Sequence, residues 1–303
     1  MLRRKIHCRG DRLRARLPKN PSAPTQVQKL TDALPIWSIF LVVLLVVLIS
    51  IEIGYRRGRL VQQREDGKQE KEAPVGAMVG ATLGLLAFLL AITFSIAEDG
   101  FNARRIALIE EVNAIRTTYL RAAFIPEPQR DEVRCILRQY VDDQLQWTGV
   151  PEGRTREPAR ALLDQLWAQA VLVGEKHQDV VNVALFIDSA NQVINLNTER
   201  VNLRERNRIP GAMDAVLILL TILTFAGMGY HGGVAGTVRS PVMVIVAVSF
   251  SLVVMLIADL NRPGQGWINV SQDAMLDLRS SLEASERESH RGTVGAIPLP
   301  NKR

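Results

Sequence analysis

Apolar positions along the chain gather into four blocks, at about 36–53, 75–97, 212–230 and 241–258. A helix needs roughly 20 such residues to cross a hydrocarbon core of about 30 Å, so each block predicts a span. The second block does not end where its apolar run ends. After VGAMVGATLGLLAFLLAITFSIA the chain meets no proline until Pro126, and a helical period takes over. Phe101, Leu108, Val112, Ile115 and Tyr119 recur on one face, with Arg104, Arg105, Glu110, Glu111, Asn113 and Arg116 mostly off it. The pattern predicts one helix from Pro74 to about Ala123 that crosses the membrane and projects into water. Pro126 and Pro128 then mark a turn, and Val133, Ile136, Leu137, Tyr140 and Val141 give a further amphipathic helix. A loop over Gly149–Pro158 and helices over Arg160–Val173 and Gln178–Arg206 complete the stretch. No apolar–polar alternation suggests a strand in it.

The predicted fold is therefore all-α: a polytopic membrane protein with four transmembrane helices and a helical soluble domain inserted between spans two and three. Residues 1–35 form a basic, proline-broken arm expected to be disordered, and 36–97 hold spans one and two. Residues 98–209 form the soluble domain, 210–260 hold spans three and four, and 261–303 are a tail, amphipathic through Met275, Leu276, Leu278 and Leu282 and then disordered. The first span reads as a signal anchor rather than a cleaved peptide, because no A-x-A site follows it. Trp37 and Tyr55 are placed for the two interfaces.

Small residues recur along span two at Gly76, Gly80, Gly84, Ala87, Ala91 and Ser95. Such a stripe lets another helix come close, so Gly76, Gly80, Gly84, Ala87 and Ala91 are the helix-packing candidates. The opposite face carries Thr82, Leu86, Leu89 and Thr93, with Phe88 beside it. In a symmetric ring of helices that face would line a pore, apolar side chains gating by dewetting and hydroxyls partly replacing hydration. Asp214 reads as an interfacial carboxylate in the first turn of span three. Gly227, Gly229, Gly232 and Gly233, around His231, read as the turn between spans three and four.

A formal charge of +6 suits cationic flanks beside anionic headgroups and does not call for nucleic acid. Cys8 and Cys135 stand apart with no CxxC, and the four histidines lie in separate segments, so neither a disulfide framework nor a metal site is expected. There is no P-loop, HExxH, G-x-S-x-G or dinucleotide fingerprint. No catalytic residue and no cofactor is assigned, and an enzyme is not expected. Arginines and lysines near the span ends place 98–209 and both termini on the cytoplasmic side by a narrow margin.

The run from Phe94 through Phe101, Arg104, Arg105, Glu110, Glu111 and Asn113 resembles the bacterial bestrophin-like family of four-span proteins, most closely its DUF4239 branch. GYRRGR after the first span and DLNRPGQGWINVSQ after the fourth are similar too, so the likeness runs from about 30 to 285, leaving residues 1–30 to be read as either an unusual extension or a mis-called start. It implies an inner-membrane, multi-pass homo-oligomer, pentameric by family analogy, conducting small inorganic ions through a pore lined by the second span. Anions are the expected cargo, with Arg104 and Arg105 drawing them to the mouth. Scattered Asp259, Asp273 and Asp277 do not resemble the acidic run of a calcium clasp. The alternative is a non-conducting sensor or scaffold whose 98–209 helices bind a ligand or partner.

Overall fold

In the computed structural model, residues 35–64, 72–146, 157–176, 181–205, 209–236, 241–262 and 266–294 are described. The basic arm, most of the 149–158 loop and the end of the tail lie outside them. Eight α-helices follow in order: α1 (Ile36–Arg64), α2 (Glu72–Arg121), α3 (Gln129–Gln146), α4 (Glu157–Lys176), α5 (Val181–Glu205), α6 (Gly211–Val234), α7 (Pro241–Leu260) and α8 (Asp273–Val294). A single 3-10 turn, Ala122–Phe124, closes α2. No strand occurs among the described residues. α1, α2, α6 and α7 are long and apolar enough to cross a membrane.

α2 is the predicted continuous helix. Its 50 residues correspond to about 75 Å at 1.5 Å per residue. The upper part joins the membrane core, where Val47 and Ile51 of α1, Leu86, Leu90 and Ala97 of α2, Phe225 of α6 and Ala247 and Ile257 of α7 are buried together. The lower part joins a second core in which Leu108, Val112, Ile115 and Tyr119 meet Val133, Leu137 and Tyr140 of α3, Leu166 of α4, Phe186 of α5 and Met275, Leu278 and Leu282 of α8. One helix thus belongs to both halves. α8 docks by that apolar face and by ion pairs to α3, Arg279 to Asp142 at 2.9 Å and Glu286 to Arg138. Leu276 stays outside the core, exposed.

The closest helix approach in the membrane is between α1 and α6. A Cβ added to Gly54 would stand 2.8 Å from the Ala226 carbonyl carbon and 2.9 Å from the Tyr230 nitrogen. One added to Gly229 would stand 2.9 Å from the Ile51 carbonyl carbon, and one on Gly233 2.9 Å from the Arg59 nitrogen. Gly54 and Gly58 on α1 thus face Gly229 and Gly233 on α6, two four-residue small-residue repeats set backbone to backbone. The glycines expected to form a turn lie inside α6, and the chain leaves the helix at Gly236, whose φ is +64°. They are the seam of the bundle. Tyr55 is buried in this same region instead of facing lipid, whereas Trp37 is exposed as expected. Asp214 is in the first turn of α6.

Candidate functional site

α2 is the least covered of the spans. Six per cent of its most apolar window is buried, against 28% for α1 and 17% each for α6 and α7. Over the whole apolar run, 75–97, the buried positions form one narrow stripe: Leu86, Leu90, Thr93 and Ala97. The Thr93 hydroxyl donates 2.7 Å to the Leu89 carbonyl of its own helix. Leu86 and Thr93 therefore face the interior of the chain's own bundle. Of the other lining candidates, Leu89 is half-buried, while Thr82 and Phe88 are exposed. The Thr82 hydroxyl donates 2.9 Å to Val79.

The small-residue stripe points the other way. Gly80, Gly84, Ala87, Ala91 and Ser95 are exposed, and a Cβ on Gly80 or Gly84 would meet nothing within 4 Å. Among the described residues they pack against no neighbouring span. Gly76 differs, since a Cβ there would stand 2.9 Å from Nε2 of His231 on α6.

This exposed face runs on past the membrane boundary. At 100° per residue, Gly84, Ala91, Ser95, Asn102, Ile106, Ile109, Asn113, Arg116 and Leu120 lie within about 40° of one line, and all are exposed. Ile106 is 54% and Leu120 59% exposed in the section that stands in water. Where the apolar run ends, Glu98 and Asp99 flank the same line, both exposed, with Arg105 about two turns further on. Arg104 turns away from it and donates 2.6 Å to the Leu260 carbonyl, satisfying one of the orphan carbonyls at the end of α7. It ties α2 to α7.

Below this joint lies a buried polar cluster. Glu111, fully buried, accepts hydrogen bonds from the Tyr140 hydroxyl on α3 and from Arg200 on α5. Asn197 donates 2.6 Å to the same Tyr140 oxygen. Burial, reinforced by the neighbouring Glu111 carboxylate, raises the Tyr140 phenol well above its ordinary value. Three helices are pinned at one point. A second carboxylate, Asp259 at the end of α7, is buried and accepts 2.9 Å hydrogen bonds from the backbone nitrogens of both Trp267 and Ile268. No group of three or more potential metal ligands is found among the described residues.

The Bestrophin-like domain model matches residues 41–275, which take in all four spans and both carboxylate anchors. The chain belongs to the bestrophin-like family. No curated protein matches it. Its fold is similar to that of a solved crystal structure described as that of a membrane protein, at 16% identity and a TM-score of 0.54, over 87% of this chain and 99% of that one. The resemblance read from the residues around Phe94–Asn113 is thus borne out at the level of family and of membrane fold.

In this bestrophin-like chain four of the motif residues that carried the resemblance turn out to be joints. Phe94 and Phe101 pack on the membrane core, Arg104 caps α7, and Glu111 holds α3 and α5. Glu111 was expected off the apolar face. Its spacing of three from Leu108 and four from Ile115 puts it on that face, and that signal could have found it.

Proposed function

We propose that this membrane protein assembles as a ring of copies around the exposed face of α2 and conducts small inorganic ions along it. One observation carries the reading: that face is small and uncovered in the bilayer and still exposes large apolar side chains, Ile106, Ile109 and Leu120, between Asn102, Asn113 and Arg116 where lipid can no longer cover it. Exposed apolar stripes in water mark contact surfaces, and α2 from a second copy is the surface of matching length and texture. Gly80, Gly84, Ala91 and Ser95 would then be nearest the axis, with Phe88, at 62% exposure, the largest side chain available as a constriction. Glu98 and Asp99 flank the line at the mouth and Arg104 is withdrawn, leaving two exposed carboxylates against the one exposed arginine, Arg105, so the net charge presented there favours cations over the anions expected from the arginine pair. The soluble domain and both termini are assigned to the cytoplasmic side of a bacterial inner membrane.

The test is flux from proteoliposomes under potassium and chloride gradients, together with the subunit number in mild detergent. A ring oligomer whose flux changes when Phe88 or Gly84 is substituted supports the reading. A protein that is monomeric or dimeric and passes no ion overturns it, leaving a scaffold whose spans only pack.

A further inference from the structure

The segment after α7 is built to bring a tryptophan back to the membrane surface. Asp259 is the first charged residue after the apolar run of α7 and so marks the edge of the hydrocarbon. Chain leaving a span at this point would ordinarily move off into water. Here the Asp259 carboxylate, 3% exposed, accepts the backbone nitrogens of Trp267 and Ile268, each at 2.9 Å. The returning strand is pressed so close that a Cβ on Gly266 would stand 2.8 Å from the Asp259 carboxyl carbon. Asn269 closes the turn by donating 2.7 Å to the Gly266 carbonyl. The backbone at 267 is thereby held within a few ångströms of the last turn of α7. Yet the indole of Trp267 is not packed: it is 75% exposed, and Ile268 beside it 38%.

We infer that Trp267 and Ile268 form an interfacial anchor that docks on the phospholipid surface of the protein's own bilayer. An amphipathic indole at headgroup depth, with an aliphatic neighbour, matches the residues enriched at membrane interfaces. The position is continuous with the end of a membrane span, which selects the lipid surface over a soluble partner. Two part-buried hydrogen bonds to a carboxylate are the charge-assisted kind, strong enough to fix the height of the loop. The anchor sets the level at which α8, starting six residues later at Asp273, leaves the membrane for the soluble core. This holds whether or not the protein conducts ions.

The test is fluorescence of the full chain with Trp37, Trp147 and Trp167 replaced by Phe, reconstituted in phosphatidylcholine vesicles with and without bromine on the upper acyl carbons. The expected result is a blue-shifted Trp267 emission, quenched by the brominated lipid and weakly by aqueous acrylamide. Asp259→Ala should shift the emission red and lose the lipid quenching while far-ultraviolet dichroism keeps its helical signal. Emission indifferent to brominated lipid in the parent protein overturns the inference. If acrylamide quenches it, the loop stands in water; if neither does, the indole is buried against protein.

Discussion

Adding one methyl group to the α1–α6 seam separates the two glycine stripes by energy. In Gly229→Ala the new carbon would lie 2.9 Å from the Ile51 carbonyl carbon and 3.0 Å from its Cα. Carbon atoms prefer about 3.5–4.0 Å, so the helices must part by roughly half an ångström or more. Overpacking of this kind costs about 1–3 kcal/mol. Alanine recovers about 1 kcal/mol of helix propensity over glycine, leaving a net loss of about 0–2 kcal/mol. Gly84→Ala gains the same propensity and meets nothing within 4 Å, so within one chain it should be neutral or stabilising by up to about 1 kcal/mol. The shared propensity cancels, so the two variants should differ by about 1–3 kcal/mol, with Gly84→Ala the more stable. Equilibrium unfolding in mixed micelles, titrated with denaturing detergent and followed by dichroism on the monomeric fraction, reads that difference. Equal stability of the two variants, or the reverse order, would refute the argument. A Gly84→Ala protein of normal chain stability but altered assembly would agree with contact between copies on that face.

Further outcomes follow from the polar joints. Glu111→Ala leaves Arg200 and Tyr140 without their buried acceptor and should cost about 3–5 kcal/mol, towards the lower end because Arg200 keeps some solvent. Glu111→Met with Arg200→Met should recover much of that loss, measured by thermal unfolding. Tyr140 has a raised folded-state pKa, so the unfolded chain ionises first. Its contribution is whole below about pH 10 and falls as the pH rises through the folded value, and Tyr140→Phe should flatten the alkaline limb of the stability profile. Arg104→Ala should cost about 1.5–3 kcal/mol by leaving the Leu260 carbonyl short of a charged donor, with ion selectivity unchanged in the flux assay. Glu98→Gln with Asp99→Asn should lower the ratio of cation to anion permeability, and an unchanged ratio would remove both carboxylates from the mouth.

How far the sequence could be read depends on whether a feature is local. The length of α2 was legible because periodicity passes from a membrane run to an amphipathic one with no proline between Pro74 and Pro126. Val133, Ile136, Leu137, Tyr140 and Val141 were legible for the same reason, and all five are buried. Which face of a span points inward is not local. Gly80 and Gly84 have the same small-residue spacing as Gly229 and Gly233, yet the former are bare and the latter sealed. In a uniformly apolar helix the period carries no inward signal, and only the neighbours decide. The roles of Arg104 and Asp259 were hidden likewise. Each makes bonds to backbone groups, Leu260 in one case and Trp267 and Ile268 in the other, and backbone atoms leave no mark in composition.

The unbroken course of α2 makes it a lever. Its aqueous section from Glu98 to Arg121 is about 36 Å long at 1.5 Å per residue, and no proline or glycine pair softens it beyond Gly100. A tilt of about 5° at the membrane boundary would carry Arg121 sideways by roughly 3 Å, a simple consequence of that length. Whatever grips the far end through α3 and α5 therefore exerts torque on the span itself, with Glu111 as the point of attachment and the Arg104 tie to α7 as the fulcrum.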